Sequence, residues 1–176
     1  RRGGQLTLGT AEVTVPRERS PGTLGPTTPL PTLFRPRDEV HVLLRRVELF
    51  ETETSFTNSL AASLDNHEAR GGVGDMFVYI HGHNESFENA ARRAGQLAVD
   101  LDMRHGASLF SWPVGRSAIS YQYSQNNVEY STGHLVEFLK AVLDASNGRP
   151  VHLIAHSMGN RVLWRALDEL QNQADD

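Results

Sequence analysis

The chain contains no cysteine, which rules out disulfides, a thiolate nucleophile and thiolate metal sites together and leaves the compartment open. Nor is there a surplus of positive charge. Seventeen Lys and Arg stand against 21 Asp and Glu, for a formal net charge of -4 and a pI near 6.1, so nothing electrostatic points to nucleic acid. The pairs Arg1-Arg2, Arg45-Arg46 and Arg92-Arg93 read as solvated faces. No repeat, no signal peptide and no apolar run of membrane-spanning length is visible, and membrane association stays undecided. The eight histidines include no H-E-x-x-H pair. His81 and His83 are two apart, a spacing that sends strand side chains to opposite faces, so neither a metal nor any other cofactor is expected.

With 176 residues, 39% of them hydrophobic and 22% charged, and a mean hydropathy of -0.40, the chain has the make-up of one soluble globular domain with room for a core. It opens on Arg1 in place of methionine and closes in acidic residues soon after a helix that looks unfinished, which points to truncation and to a lost leader or lost C-terminal strands.

Residues 1–70 form an N-terminal segment. Leu6 to Val15 alternates apolar and Thr-type residues before Pro16, as an edge strand does, and His41 to Phe50 gives a second strand. The stretch Arg17 to Arg37, with five prolines, reads as a loop, and a connection without a helix favours antiparallel pairing of the two strands. Ser55 to Asn66 has Phe56, Leu60 and Leu64 at four-residue spacing, a short amphipathic helix.

Residues 71–176 change rhythm. Met76 to Ile80 is an unbroken apolar strand, as in a parallel sheet covered on both faces. Phe87 to Met103 follows as a helix with Ser86 as its cap and Ala90, Ala94, Leu97, Ala98 and Leu101 as its apolar stripe. Ala107 to Phe110 is the next strand. Gly115 to Asn127 is polar and aromatic, and Ser117 to Ser131 is expected to help shape a lid. Leu135 to Leu143 is a helix with Leu135, Phe138, Leu139, Val142 and Leu143 inward, Val151 to Ala155 a strand, and Asn160 to Leu170 a helix. This alternation argues for an α/β fold, a mostly parallel sheet sandwiched between helices, with the N-terminal strands antiparallel.

Between the last strand and helix lies Ser157, flanked by Ala155 and Gly159 as A-x-S-x-G, a variant of the nucleophile elbow G-x-S-x-G. The elbow needs small neighbours because its turn is sharp and strained. Serine is also a favoured N-cap, so the pattern alone leaves capping and catalysis open. In open α/β sheets functional groups gather beyond the carboxyl ends of the strands, and three such ends occur here: residues 81–84 (H-G-H-N), 111–113 (S-W-P) and 156–158 (H-S-M). A serine nucleophile needs N–H donors for the oxyanion. Met158, directly after it, supplies one, and His83 is the choice for the other, because Gly82 lets the chain turn. The bland reading of H-G-H-N is a strand-ending turn with exposed histidines. His156 adjoins the serine in a sharp turn, so a packing or pocket-wall role suits it better than that of base, and Trp112 is placed on the pocket wall as well. Asn84, Glu85, Asn160 and Arg161 would orient loops.

The strings F-V-Y-I-H-G-H-N, L-F-S-W-P and H-L-I-A-H-S-M-G-N-R together closely resemble the DUF900 group, an esterase/lipase-like α/β-hydrolase family of bacterial proteins, strongly over residues 75–170. The resemblance implies an α/β-hydrolase fold, Ser157 as nucleophile and the His83 loop in the oxyanion hole. One departure follows from chain order. The triad of this fold runs Ser, acid, His, yet no histidine follows His156, and Asp168, Glu169, Asp175 and Asp176 are the only acids after Ser157. The acid and the base are therefore expected beyond residue 176. The expected function is a serine hydrolase acting on a small-molecule ester through an acyl-enzyme. The alternatives are a non-catalytic binding or structural protein that keeps the fold, or acyl transfer to an acceptor other than water.

Overall fold

The computed structural model describes residues 4–24, 41–115 and 121–175, the side chains of 121 and 122 excepted. Part of the proline-rich stretch, residues 25–37, lies outside the described residues. At the centre is β3, Met76–Ile80, every residue of which is buried. It pairs in parallel with β4, Ala107–Phe110, on one side and with β5, Val151–Ala155, on the other. All three strands coincide with the short, mostly apolar runs of the sequence; β3 is buried on both faces, whereas β4 is partly buried and β5 carries the exposed His152.

The pleat sends alternate residues to two separate cores. Met76, Val78 and Ile80 join the larger cluster with side chains of α1 (Glu53–Glu68), α3 (Tyr121–Ser146) and α4 (Gly159–Ala174). Phe77 and Tyr79 face Ala94 and Ala98 of α2, Phe87–Asp100. The result is the expected three-layer α/β arrangement. Each fully buried side chain of β3 contributes about 1.5–3 kcal/mol through the water it leaves.

Helix boundaries follow caps more than periodicity. Thr52 caps α1, its hydroxyl accepting from Ser55 N–H at 3.1 Å, so the helix begins two residues before the expected Ser55. Ser86 caps α2 as expected, with extended backbone and its Oγ accepting from Asn89 N–H. That helix stops at Asp100, short of Met103, and Leu101 becomes an exposed cap residue. The largest correction is α3, which starts at Tyr121, fourteen residues ahead of Leu135 and within the stretch read as lid. The inner face of its first half is mostly polar: Ser124, Asn127, Ser131 and Thr132 are buried alongside Val128, so no apolar stripe announces it. Leu143, expected inward, is 49% exposed, one position round the helix from the fully buried Val142.

The N-terminal strands pair antiparallel, as expected, as β1, Gly9–Thr14, and β2, Leu43–Leu49. They form a two-stranded sheet of their own and not the margin of the parallel one. Much of β2 is exposed, and the ribbon leans on α2 instead: Val13 packs where a Cβ on Gly95 would lie 2.6 Å from its Cγ1, and Arg92 donates to Val42 O at 2.6 Å. Arg19 and Gly22 N–H hold Asp100 at the end of α2. The hydrogen bond from Arg19 is the main reason the Asp100 carboxyl is held down to about 2. A cleft of about 820 Å³ is lined by residues of this ribbon, α1, α2, β4 and α3, with Ser111 and Trp112 among them.

Candidate active site

The turn after β5 is built from strain and close approach. Ser157 has φ +52°, in the left-handed region that costs an L-residue about 1–2 kcal/mol. An N-cap serine keeps extended backbone, as Ser86 does. Here the cap position of α4 falls to Met158, at φ -63°, with no side-chain cap bond. Ser157 therefore does not cap the helix; it sits at the apex of a strand-turn-helix with its side chain exposed. Gly159 explains the need for a small residue two positions on, since a Cβ there would lie 2.6 Å from Ile80 O and 2.7 Å from His81 O. Asn160 Nδ2 staples the turn by donating to Ala155 O and Ser157 O, and His156 N–H donates to Ile80 O at 3.0 Å.

The loop after β3 reaches the same point. A Cβ on Gly82 would come within 2.9 Å of His156 O and Nδ1 and 3.0 Å of Ser157 Cβ, so only glycine allows the loop to lie against the turn. Around it the side chains are tied. His81, fully buried, sets Nδ1 2.9 Å from Gly82 O while its Nε2 accepts from Trp112 N–H at 3.1 Å. Both bonds require the same neutral tautomer, protonated on Nδ1. Burial is the chief reason the imidazole is held below the usual histidine range. Trp112 stacks on the ring, with centroids 5.9 Å apart, and its indole N–H donates to His81 O at 2.8 Å. His83 Nδ1 lies 2.8 Å from Ser124 Oγ, which also accepts from Gly115 N–H, and Asn127 Nδ2 donates to Pro113 O. The buried polar face of α3 thus links the ends of β3 and β4.

The structure accordingly brings Ser157, Met158, His156 and the Gly82-His83 loop together at the carboxyl ends of β3 and β5. The Met158 N–H has no partner among the described residues and lies where α4 begins, at the positive end of the helix dipole. His156 is exposed beside Gly82, and Trp112 stands behind His81, 3% exposed. No histidine among the described residues hydrogen-bonds Ser157 Oγ, and no carboxylate orients one toward it. Among the same residues no group of three or more His, Asp or Glu is placed to hold a metal ion, and no helix is long and apolar enough to cross a membrane. Sequence reasoning missed His81, Ser124 and Asn127. The first stood inside a string of interest but was given no role there; the other two carried no signal, because a buried serine or asparagine looks like a loop residue.

A parallel sheet between helices, with a left-handed serine where β5 passes into α4, is the arrangement of an α/β-hydrolase. Residues 52–176 match the family model described as alpha/beta hydrolase of unknown function (DUF900), and the chain belongs to that family. No curated protein and no solved structure matches it.

Proposed function

We propose that the protein is a serine hydrolase of carboxylic esters, with Ser157 as the nucleophile. The observation that carries this reading is the Ser157 backbone: a strained φ of +52° is maintained at an exposed hydroxyl that caps nothing. In the proposed reaction Ser157 Oγ attacks the ester carbonyl, the alcohol leaves, and water releases the acid from the acyl-enzyme. The N–H groups of Met158 and His83 hold the oxyanion that forms in each step. The reading needs a histidine to take the Ser157 proton and an acid to orient that histidine. In the chain order of this fold both follow the elbow.

One observation favours a non-catalytic protein of the same fold: no imidazole among the described residues reaches Ser157. Treatment with a fluorophosphonate probe followed by peptide mapping separates the two. The hydrolase reading expects a label on Ser157 that disappears in Ser157→Ala. Full-length protein that stays unlabelled beside a reactive esterase control, or labels equally well after the substitution, overturns it. Acyl transfer in place of hydrolysis would show as an ester or amide product when an acceptor alcohol or amine competes with water.

A further inference from the structure

The reading of His83 as an oxyanion donor leaves a question of orientation. A donor N–H is useful only if it is fixed before the charge forms, and the residue ahead of it is Gly82, whose torsions no Cβ restricts. Rotation of the 82–83 peptide by half a turn would replace the donor with the Gly82 carbonyl, which repels an oxyanion. Something else must choose between the two orientations. The described peptides contain no cis bond, and in a trans peptide the C=O and the following N–H point in opposite directions. The Gly82 carbonyl and the His83 N–H belong to one such unit. The carbonyl is the one tied to His81 Nδ1, at 2.9 Å.

We infer that His81 is a positioning residue for the proposed reaction: by donating from Nδ1 to Gly82 O it holds the 82–83 peptide with its N–H facing away from the buried ring. This inference rests on the proposed role of Ser157 and goes beyond it by assigning a task to a side chain that touches no substrate. The rest of the cluster serves to hold the ring in the required tautomer. Trp112 N–H donates to Nε2 at 3.1 Å, Ser111 Oγ lies 3.2 Å from the same atom, and the Trp112 indole stacks on the imidazole while bonding His81 O. With Nε2 occupied as an acceptor, the proton must sit on Nδ1, facing Gly82 O. The carbonyls on either side of Gly82 are thus held by the two members of one buried pair.

The test uses two variants that divide the functions of the imidazole. An asparagine amide nitrogen falls near the position of histidine Nδ1, so His81→Asn keeps a donor for Gly82 O. A glutamine amide falls near Nε2, so His81→Gln keeps a partner for Trp112 N–H and loses that donor. The readout is inactivation by a fluorophosphonate, whose phosphoryl oxygen occupies the oxyanion position, separated into a maximal rate and a half-saturating concentration. Loss of one fixed oxyanion donor costs about 10²-fold in the maximal rate, and a smaller loss of order tenfold is expected where the donor is only loosened. His81→Gln is expected to fall in that range with unchanged half-saturation, and His81→Asn to stay within about threefold of the wild type. Equal slowing of both variants in proportion to their thermal stabilities, or no slowing in His81→Gln, overturns the positioning role. Wild-type protein that takes no label at Ser157 overturns the nucleophile reading instead. In that case the hydrogen bond is read directly from the ring nitrogens of His81 by ¹⁵N spectroscopy: a proton on Nδ1 supports the arrangement, and a proton on Nε2 overturns it.

Discussion

Two turns meet at Ser157, and they are held by different means. The turn after β5 stands on main-chain geometry: a left-handed serine, a glycine pressed on the carbonyls of β3, and the Asn160 side chain bonded back to Ala155 O and Ser157 O. The loop after β3 stands on side chains, with His81, Trp112, Ser124 and Asn127 joining it to β4 and α3. The first has few ways to move without breaking the fold. The second can be loosened one hydrogen bond at a time. A site assembled this way fixes Ser157 rigidly and the 82–83 peptide adjustably, so substitutions in the two turns should fail differently.

The sharpest break is Gly159→Ala. Its Cβ would fall 2.6 Å from one main-chain oxygen and 2.7 Å from another, and neither can yield without distorting β3. A loss of about 3 kcal/mol is expected despite alanine's better helix propensity, read from the urea midpoint. A cost below about 1 kcal/mol would show that the turn is softer than the contact distances imply. On the side-chain-held loop, Trp112→Phe keeps an aromatic ring against His81 but leaves His81 O buried without its donor. That loss should cost about 2 kcal/mol in the same assay. If it costs nothing, the indole bond does not anchor the loop.

A smaller effect of opposite sign tests the strain itself. Ser157→Gly removes the penalty for φ +52°, whereas Ser157→Ala removes only the hydroxyl. The glycine variant should therefore be more stable than the alanine variant by about 1 kcal/mol, even though glycine loses more chain entropy on folding. Equal stabilities would mean that Ser157 holds no strain. The last difference is in pH dependence. Because burial holds His81 below its ordinary range, the unfolded chain takes up a proton first on acidification. The stability contributed by neutral His81 is then complete above about pH 6.5 and declines as the pH falls below it. His105 is also held low by burial and titrates in the same direction. The comparison must therefore be made against His81→Asn, which should show a shallower decline between neutrality and about pH 5. Asp100, held down to about 2, loses its contribution only at lower pH and does not confound that window.

The most legible parts of this fold were its short, mostly apolar runs. β3, β4 and β5 were read to the residue, because each is a short apolar run bounded by polar or turn-forming residues. The Ser86 cap and the run of Ala90, Ala94 and Ala98 were readable for the related reason that a helix end and a helix face repeat at fixed spacing. The first half of α3 was not, since its buried face is mostly serine, threonine and asparagine, with Ser124 and Asn127 bonded to loop backbone, and hydrophobic spacing cannot register a face that is largely polar. At the site, A-x-S-x-G announced Ser157, and Gly82 announced a close approach. The orientation of His81 was illegible, because a histidine beside a glycine carries no sign of which way its ring turns. The separation of the β1-β2 ribbon from the main sheet was also out of reach, as antiparallel pairing fixes the partner of each strand but not what the pair packs against.

The most direct measurement is a crystal structure of the protein after fluorophosphonate treatment. The account predicts a tetrahedral phosphorus bonded to Ser157 Oγ, with its phosphoryl oxygen at about 2.7–3.1 Å from the main-chain nitrogens of both Met158 and His83. Phosphorus bonded to another residue, or bonded to Ser157 with that oxygen directed into solvent and the Gly82 carbonyl turned toward the site, would contradict it.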